Sequence, residues 1–147
     1  MPEKTIGSMS GLLRNHSESL ERYTSMFHEN IAKYWKGHDD IHSLMEIKKD
    51  ENGNIAGVLK HFNFYFSTTN RFVMGEDEIF SEVKFHTEVD GKQQTIMKCF
   101  IHYTREFTFD SVLSEDLLDI DYDDSVERKI LNKLVTAAFE KKIISAD

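Results

Sequence analysis

The chain has 147 residues, 39% of them apolar and 12% aromatic, with one proline, which is one domain's worth of sequence and enough apolar material for one core. That composition excludes collagen-like, low-complexity and disulfide-scaffold classes, and eleven Phe, five Tyr and one Trp exceed what a disordered chain carries. The net charge of −8 opposes a sequence-independent grip on phosphates, which needs clustered Lys and Arg.

Residues 1–9 read as a loose leader of small and polar side chains. From Ser10 to Gly37, Leu13, Leu20, Tyr23, Phe27, Ile31 and Tyr34 recur at helical spacing with Trp35 beside them. Glu18, Glu21, Arg22, Glu29 and Lys33 take the opposite side, as on a helix with one solvated face. Ser10 or Ser17 can cap the start and Gly37 can stop it, giving one long helix or two short ones.

Beyond Gly37 the period becomes two. Met45 and Ile47 mark a first strand, and Asn52-Gly53 follows as a type I′ hairpin signal. A second strand carries Val58, Phe62, Phe64 and Phe66 on one face, with Leu59, His61, Asn63 and Tyr65 on the other. In a third, Ile79, Val83, Phe85 and Val89 oppose Glu82, Lys84, His86 and Glu88. The fourth points Met97, Cys99, Ile101, Tyr103 and Phe107 inward.

Paired residues must share a side of the sheet. Inward positions that are odd before Asn52-Gly53 and even after it predict a two-residue turn there. Odd sets on both sides of Asp90-Gly91-Lys92 predict a three-residue loop, with Gly91 or Lys92 left-handed. The stretch Ser67 to Glu78 is either an open loop or an extension of both strands to a tight turn near Gly75-Glu76.

Residues 110–123 form an acidic connecting segment without a basic residue. Asp124 and Glu127 then stand in a capping-box relation, before a stripe of Ile130, Leu131, Leu134, Val135 and Ala138. Lys141 and Lys142 fall in the last turn, where the helix dipole favours cations. The expected fold is a single α+β domain: a four-stranded antiparallel meander flanked by an N-terminal and a C-terminal helix, which cap its phenylalanine-rich face.

Few residues suggest chemistry. Asp119, Asp121 and Asp123 alternate like calcium ligands, but Asp124 and Ile130 stand where a calcium loop needs Gly and Glu. His38 and His42 are four apart, yet they follow the Gly37 helix stop and have no third ligand nearby. No metal site is assigned. Cys99 is the one cysteine, so no intrachain disulfide forms, and an inward lone thiol acts as a small hydrophobe. The outward strand face gathers His61, Glu82, Lys84, His86 and His102, a composition shared by acid–base sites and ordinary solvated strands. No catalytic residue follows from it. Phosphate-cradling glycine loops, nucleophile elbows, cysteine knuckles and His-Glu-x-x-His helices are absent from the sequence, and no cofactor is expected.

Two functions remain. The first is a non-enzymatic, cytoplasmic module that binds a protein partner, as an adaptor, inhibitor or neutraliser, its acidity favouring a basic partner or nucleic-acid mimicry. Its contacts would be Leu117, Leu118, Ile120 and Tyr122 of the acidic segment, with Phe80 and Phe100 of the outward face. Those two Phe and the sheet edges also predict a homodimer. The second is a cone of sheet around a helix, with a small-ligand or hydrolase- or isomerase-like pocket lined by Tyr23, Trp35, Phe64, Phe85 and Tyr103. No signal peptide or membrane span is expected.

Overall fold

A computed structural model describes residues 5–75, 77–112, 117–120 and 126–145. Helix α1 (Ile6–Gly37) is about 48 Å long at 1.5 Å per residue. Thr5 and Ser8 build a reciprocal cap: the Ser8 N–H donates to Thr5 Oγ1 and the Thr5 N–H to Ser8 Oγ, both at 3.1 Å. The cap starts the helix ahead of Ser10, so residues 6–9 are helical instead of a loose leader. Helix α2 (Asp39–Leu44) follows after one extended residue, His38.

The sheet has seven strands, not four: β1 (Glu46–Lys49), β2 (Ile55–Leu59), β3 (Phe64–Met74), β4 (Ile79–Val89), β5 (Lys92–Ile101), β6 (Glu106–Phe109) and β7 (Leu118–Asp119). All pair antiparallel in sequence order, curling into a half-barrel. Helix α3 (Val126–Glu140) comes last; Asp124 of the expected capping box lies outside the described residues. Among the described residues no helix is long and apolar enough to cross a membrane.

Three reversals account for the extra strands. Lys60–Phe62 is one 3₁₀ turn, and Asn63 at φ 52° sends the chain back so that Leu59 faces Phe64. The inward set therefore changes from Ile55, Gly57 and Leu59 to Phe64, Phe66 and Thr68, while Phe62 ends up 47% exposed. The expected fourth strand breaks after Ile101, with Arg105 at φ 76°, and Phe107 returns opposite Ile101. Tyr103 is left in the turn. Leu118 and Asp119, expected in a connecting segment, pair with β6 as an edge strand.

The hairpins correct the parity argument as well. Lys49 faces Ile55, so the first loop spans residues 50–54, with Asp50 Oδ1 accepting from the N–H groups of Asn52 and Asn54. Asp90 (φ 53°) and Gly91 (φ 78°) form a two-residue turn between Val89 and Lys92, the geometry of type I′. The odd offset is absorbed inside β5. Phe85 faces Met97 but His86 faces Thr95, leaving Ile96 as the bulged residue. Past the bulge Val89 is exposed. Strands β3 and β4 do extend to a tight turn, closed by the Gly75 N–H on Glu78 O at 2.8 Å.

Helix α1 buries Leu20 and packs Phe27 and Ile31 into the core on the inward sheet face, to which α3 adds Ile130, Leu131, Leu134 and Ala138. The Phe27 ring meets Phe107 at 5.6 Å and Phe85 at 6.4 Å between centroids. Phe64 and Phe85 fill this core rather than line a hollow. Burial pushes the Cys99 thiol up, so it stays protonated. The Phe66 ring crosses Gly57 so closely that a Cβ there would lie 2.3 Å from it, and the ring would have to shift to admit any other residue.

Candidate functional site

Strand β3 pairs with β2 over residues 64–67 and with β4 over residues 67–74. Upstream of Ser67 it therefore parts from β4, and the two strands fork. Across the fork Thr87 Oγ1 donates to Tyr65 O. A cavity of about 490 Å³ opens there, lined by Gly57, Tyr65, Phe66, His86, Glu88 and Gln93 among others. A second, of about 300 Å³, shares Tyr65, Thr87 and Glu88 and reaches Lys141 and Lys142.

His86 is the chemically distinctive lining residue. It is only 7% exposed, and it stands opposite Ser67 on the outward sheet face. Its Nδ1 accepts from the Gln93 side-chain amide at 2.9 Å, with Ser67 Oγ further off at 3.4 Å. Its Nε2 is buried and has no hydrogen-bond partner among the described residues. Burial, with the nearby Lys84 charge, lowers the pKa of the ring and keeps it neutral. With Nδ1 occupied as an acceptor, the ring proton sits on Nε2. The side chain thus offers a donor, and it is poorly placed as a base for Ser67 because the Gln93 amide already takes the Nδ1 lone pair.

The residues expected to meet a partner are mostly covered by the chain itself. Phe80 and Phe100 are 7% and 8% exposed. Both line a cleft of about 230 Å³ together with Val112 and Leu117. Ile120 is core at 2% exposure and Leu118 packs against the core, because this stretch joins the sheet. Leu117 is 54% exposed, and Tyr122 lies outside the described residues.

The expected aromatic pocket is dispersed. Phe64 and Phe85 are core, and Tyr23 packs from α1 against the edge of that core as a partly buried residue. Trp35 donates its Nε1–H to Met45 O, at the start of β1. Tyr103 stacks on His16 at 4.0 Å and on His102 at 4.5 Å, at the turn before β6. His38 and His42 stack on Tyr34 and Trp35 respectively. Among the described residues no three His, Cys, Asp or Glu are grouped to hold a metal ion.

Sequence reasoning placed His86 on the outward face but missed its pairing with Gln93. That contact depends on the β5 bulge, whose one sequence signal is the odd parity offset between the β4 and β5 inward sets.

The fold and the fork define an antiparallel α+β half-barrel with a cleft at a strand split. Comparison with family models, curated proteins and solved structures finds no match, so the chemistry of the cleft has to be read from its own residues.

Proposed function

We propose that this protein binds a small molecule at the β3–β4 fork. The observation that carries the reading is the cavity of about 490 Å³ at the fork, where the buried His86 and the carboxylate of Glu88 line the space beside Tyr65 and Gly57. Buried polar groups are nearly always hydrogen-bonded, because desolvating one without a partner costs about 1–3 kcal/mol. His86 lines that cavity and leaves its buried Nε2 unpaired, a group that a small side-chain rearrangement on binding would satisfy. The volume lies in the range of about 300–1,000 Å³ that suits such ligands. The pocket expected inside the cone is thereby moved to the strand split.

A thermal-shift screen on the wild type and His86→Leu tests this. Ligands should raise the wild-type midpoint and leave the variant unmoved. Ligands that stabilise both alike would place binding elsewhere and end the reading.

A second reading rests on a different observation. The first turns of α1 leave Ile6 88%, Met9 43% and Leu13 39% exposed at helical spacing. Residues 5–13 carry no charge in a chain that is 30% charged. Gly7, Ser10 and Gly11 lie between these apolar residues, and no other group comes within 4 Å of where a Gly11 Cβ would stand. An uncharged stripe with small neighbours is self-complementary, and we propose that it pairs two copies about a two-fold axis. Sedimentation should show a dimer for the wild type and a monomer for Leu13→Glu. A wild-type monomer at high micromolar concentration would refute it.

A further inference from the structure

Beyond Ser67, strand β3 keeps β4 on one side and has no strand on the other, since its pairing with β2 ends there. We infer that this bare edge, from Thr69 to Met74, receives an extended segment of another protein, paired antiparallel, in which apolar residues flank one carboxylate that meets Arg71. The edge lies outside the fork cavity and does not depend on a ligand there.

The register sets which backbone groups face away from the sheet. The Gly75 N–H bonds to Glu78 O, and hydrogen-bonded pairs alternate with non-bonded ones along an antiparallel ladder. Counted back through an unbroken register, Val73, Arg71 and Thr69 direct their backbone groups at β4. Asn70, Phe72 and Met74 turn theirs outward, where they find no partner among the described residues.

Sheets guard such edges with charges or by keeping them short. Of the outermost strand β1, Glu46, Lys48 and Lys49 are charged and only Ile47 is not. At the opposite edge β7 has two residues. The β3 edge has neither guard. Arg71 is its one charge between Thr69 and Met74, and Phe72, Val73 and Met74 stay half-buried. An added strand pairs the free groups and covers those side chains.

Arg71 selects the chemistry of the partner. Its Nε donates to Glu82 Oε1 at 3.0 Å, and Lys84 Nζ lies 3.8 Å from the same oxygen. One carboxylate thus serves two cations, and the Nη groups of the exposed Arg71 have no partner among the described residues. Towards an incoming strand Arg71 stands in a non-hydrogen-bonded pair, where opposed side chains come closest. A carboxylate there accepts from the free guanidinium nitrogens. A second copy cannot supply one edge to edge, because residues 69–74 hold no acid.

The probe is the peptide acetyl-Val-Thr-Val-Glu-Val-Thr-Val-amide, with a second form carrying Lys in place of Glu. Amide hydrogen exchange and ¹H–¹⁵N shifts of the full chain read the edge. In the free protein Asn70, Phe72 and Met74 should exchange fast, and Arg71 and Val73 slowly. The Glu form should slow the first three and bind about tenfold tighter than the Lys form, as expected for a charge-assisted pair, although the net charge of −8 favours the Lys form. In Arg71→Gln that preference should vanish while both forms still shift the same amides.

Equal or tighter binding of the Lys form to the wild type would overturn the inference. So would no shift with either peptide, or slow exchange of Asn70, Phe72 and Met74 in the free protein. Protection of these amides that grows with protein concentration alone would put a second copy on the edge and overturn the choice of partner.

Discussion

His28 and His86 are both buried imidazoles on this fold, 1% and 7% exposed, and burial lowers the pKa of each. They differ in what surrounds them. His28 Nδ1–H donates to Thr24 O at 2.8 Å, and its Nε2 accepts from Thr68 Oγ1 at 2.8 Å. Thr68 Oγ1 in turn accepts from the Ile55 N–H. Nearby, Thr24 Oγ1 lies 2.6 Å from Ser81 Oγ and ties α1 to β4. Every polar atom of that cluster has a partner within the chain, and its work is to fix the helix on the sheet. His86 has one nitrogen satisfied and one orphaned. Two buried histidines thus differ in how many of their ring nitrogens find a partner.

The largest break in this comparison comes from removing the satisfied ring. His28→Ala should lose about 3 kcal/mol in urea unfolding, from the cavity and the orphaned groups it leaves. Gly57→Ala should cost about 2 kcal/mol by forcing the Phe66 ring aside, and it should also weaken any ligand held at the fork. His86→Leu should change stability by less than about 1 kcal/mol in either direction, because it removes a polar group that has no partner for one of its atoms. A cost for His86→Leu comparable to that of His28→Ala would mean that Nε2 is satisfied after all.

Acid titration sharpens the same contrast. Both rings bind a proton less readily in the folded chain than at the ordinary value of 6.5. Below that pH the unfolded chain takes up more protons than the folded one, so stability rises with pH there. The contribution is complete above about pH 6.5 and is lost as pH falls from it towards the folded values. Urea midpoints measured across this range should fall less steeply in His86→Leu than in the wild type. Equal slopes would place the acid sensitivity at His28 alone. The smallest expected effect is that of Leu13→Glu, which should abolish self-association with no change in the unfolding midpoint of the isolated chain.

How much was legible in the sequence follows from which forces set each element. Long apolar periodicities read correctly: the α1 stripe from Leu20 to Ile31, the α3 stripe, and the inward series Val83, Phe85 and Met97, Cys99, Ile101. Reversals without glycine did not. The left-handed positions at Asn63 and Arg105 sit in stretches with neither Gly nor Pro, so one Phe-rich run concealed two strands and another concealed β6. Where a Gly turn was seen, at Asp90-Gly91, its length came out wrong because the extra residue is Ile96 in the strand. The acidic segment read as a solvated link, although the pairing of Leu118 with Phe107 buries Ile120 beside it. The fork is invisible for a related reason. It exists because β3 exchanges β2 for β4 at Ser67, a matter of pairing extent rather than of side-chain pattern.

The most direct measurement is the tautomer of the two rings, from long-range ¹H–¹⁵N correlations of the imidazoles at a pH above 6.5. The hydrogen-bond partners require opposite states: the proton on Nδ1 of His28, held by Thr24 O, and on Nε2 of His86, whose Nδ1 accepts from Gln93. A proton found on His86 Nδ1 instead would reverse the Gln93 contact, turn the orphan into an acceptor, and contradict the account of the site.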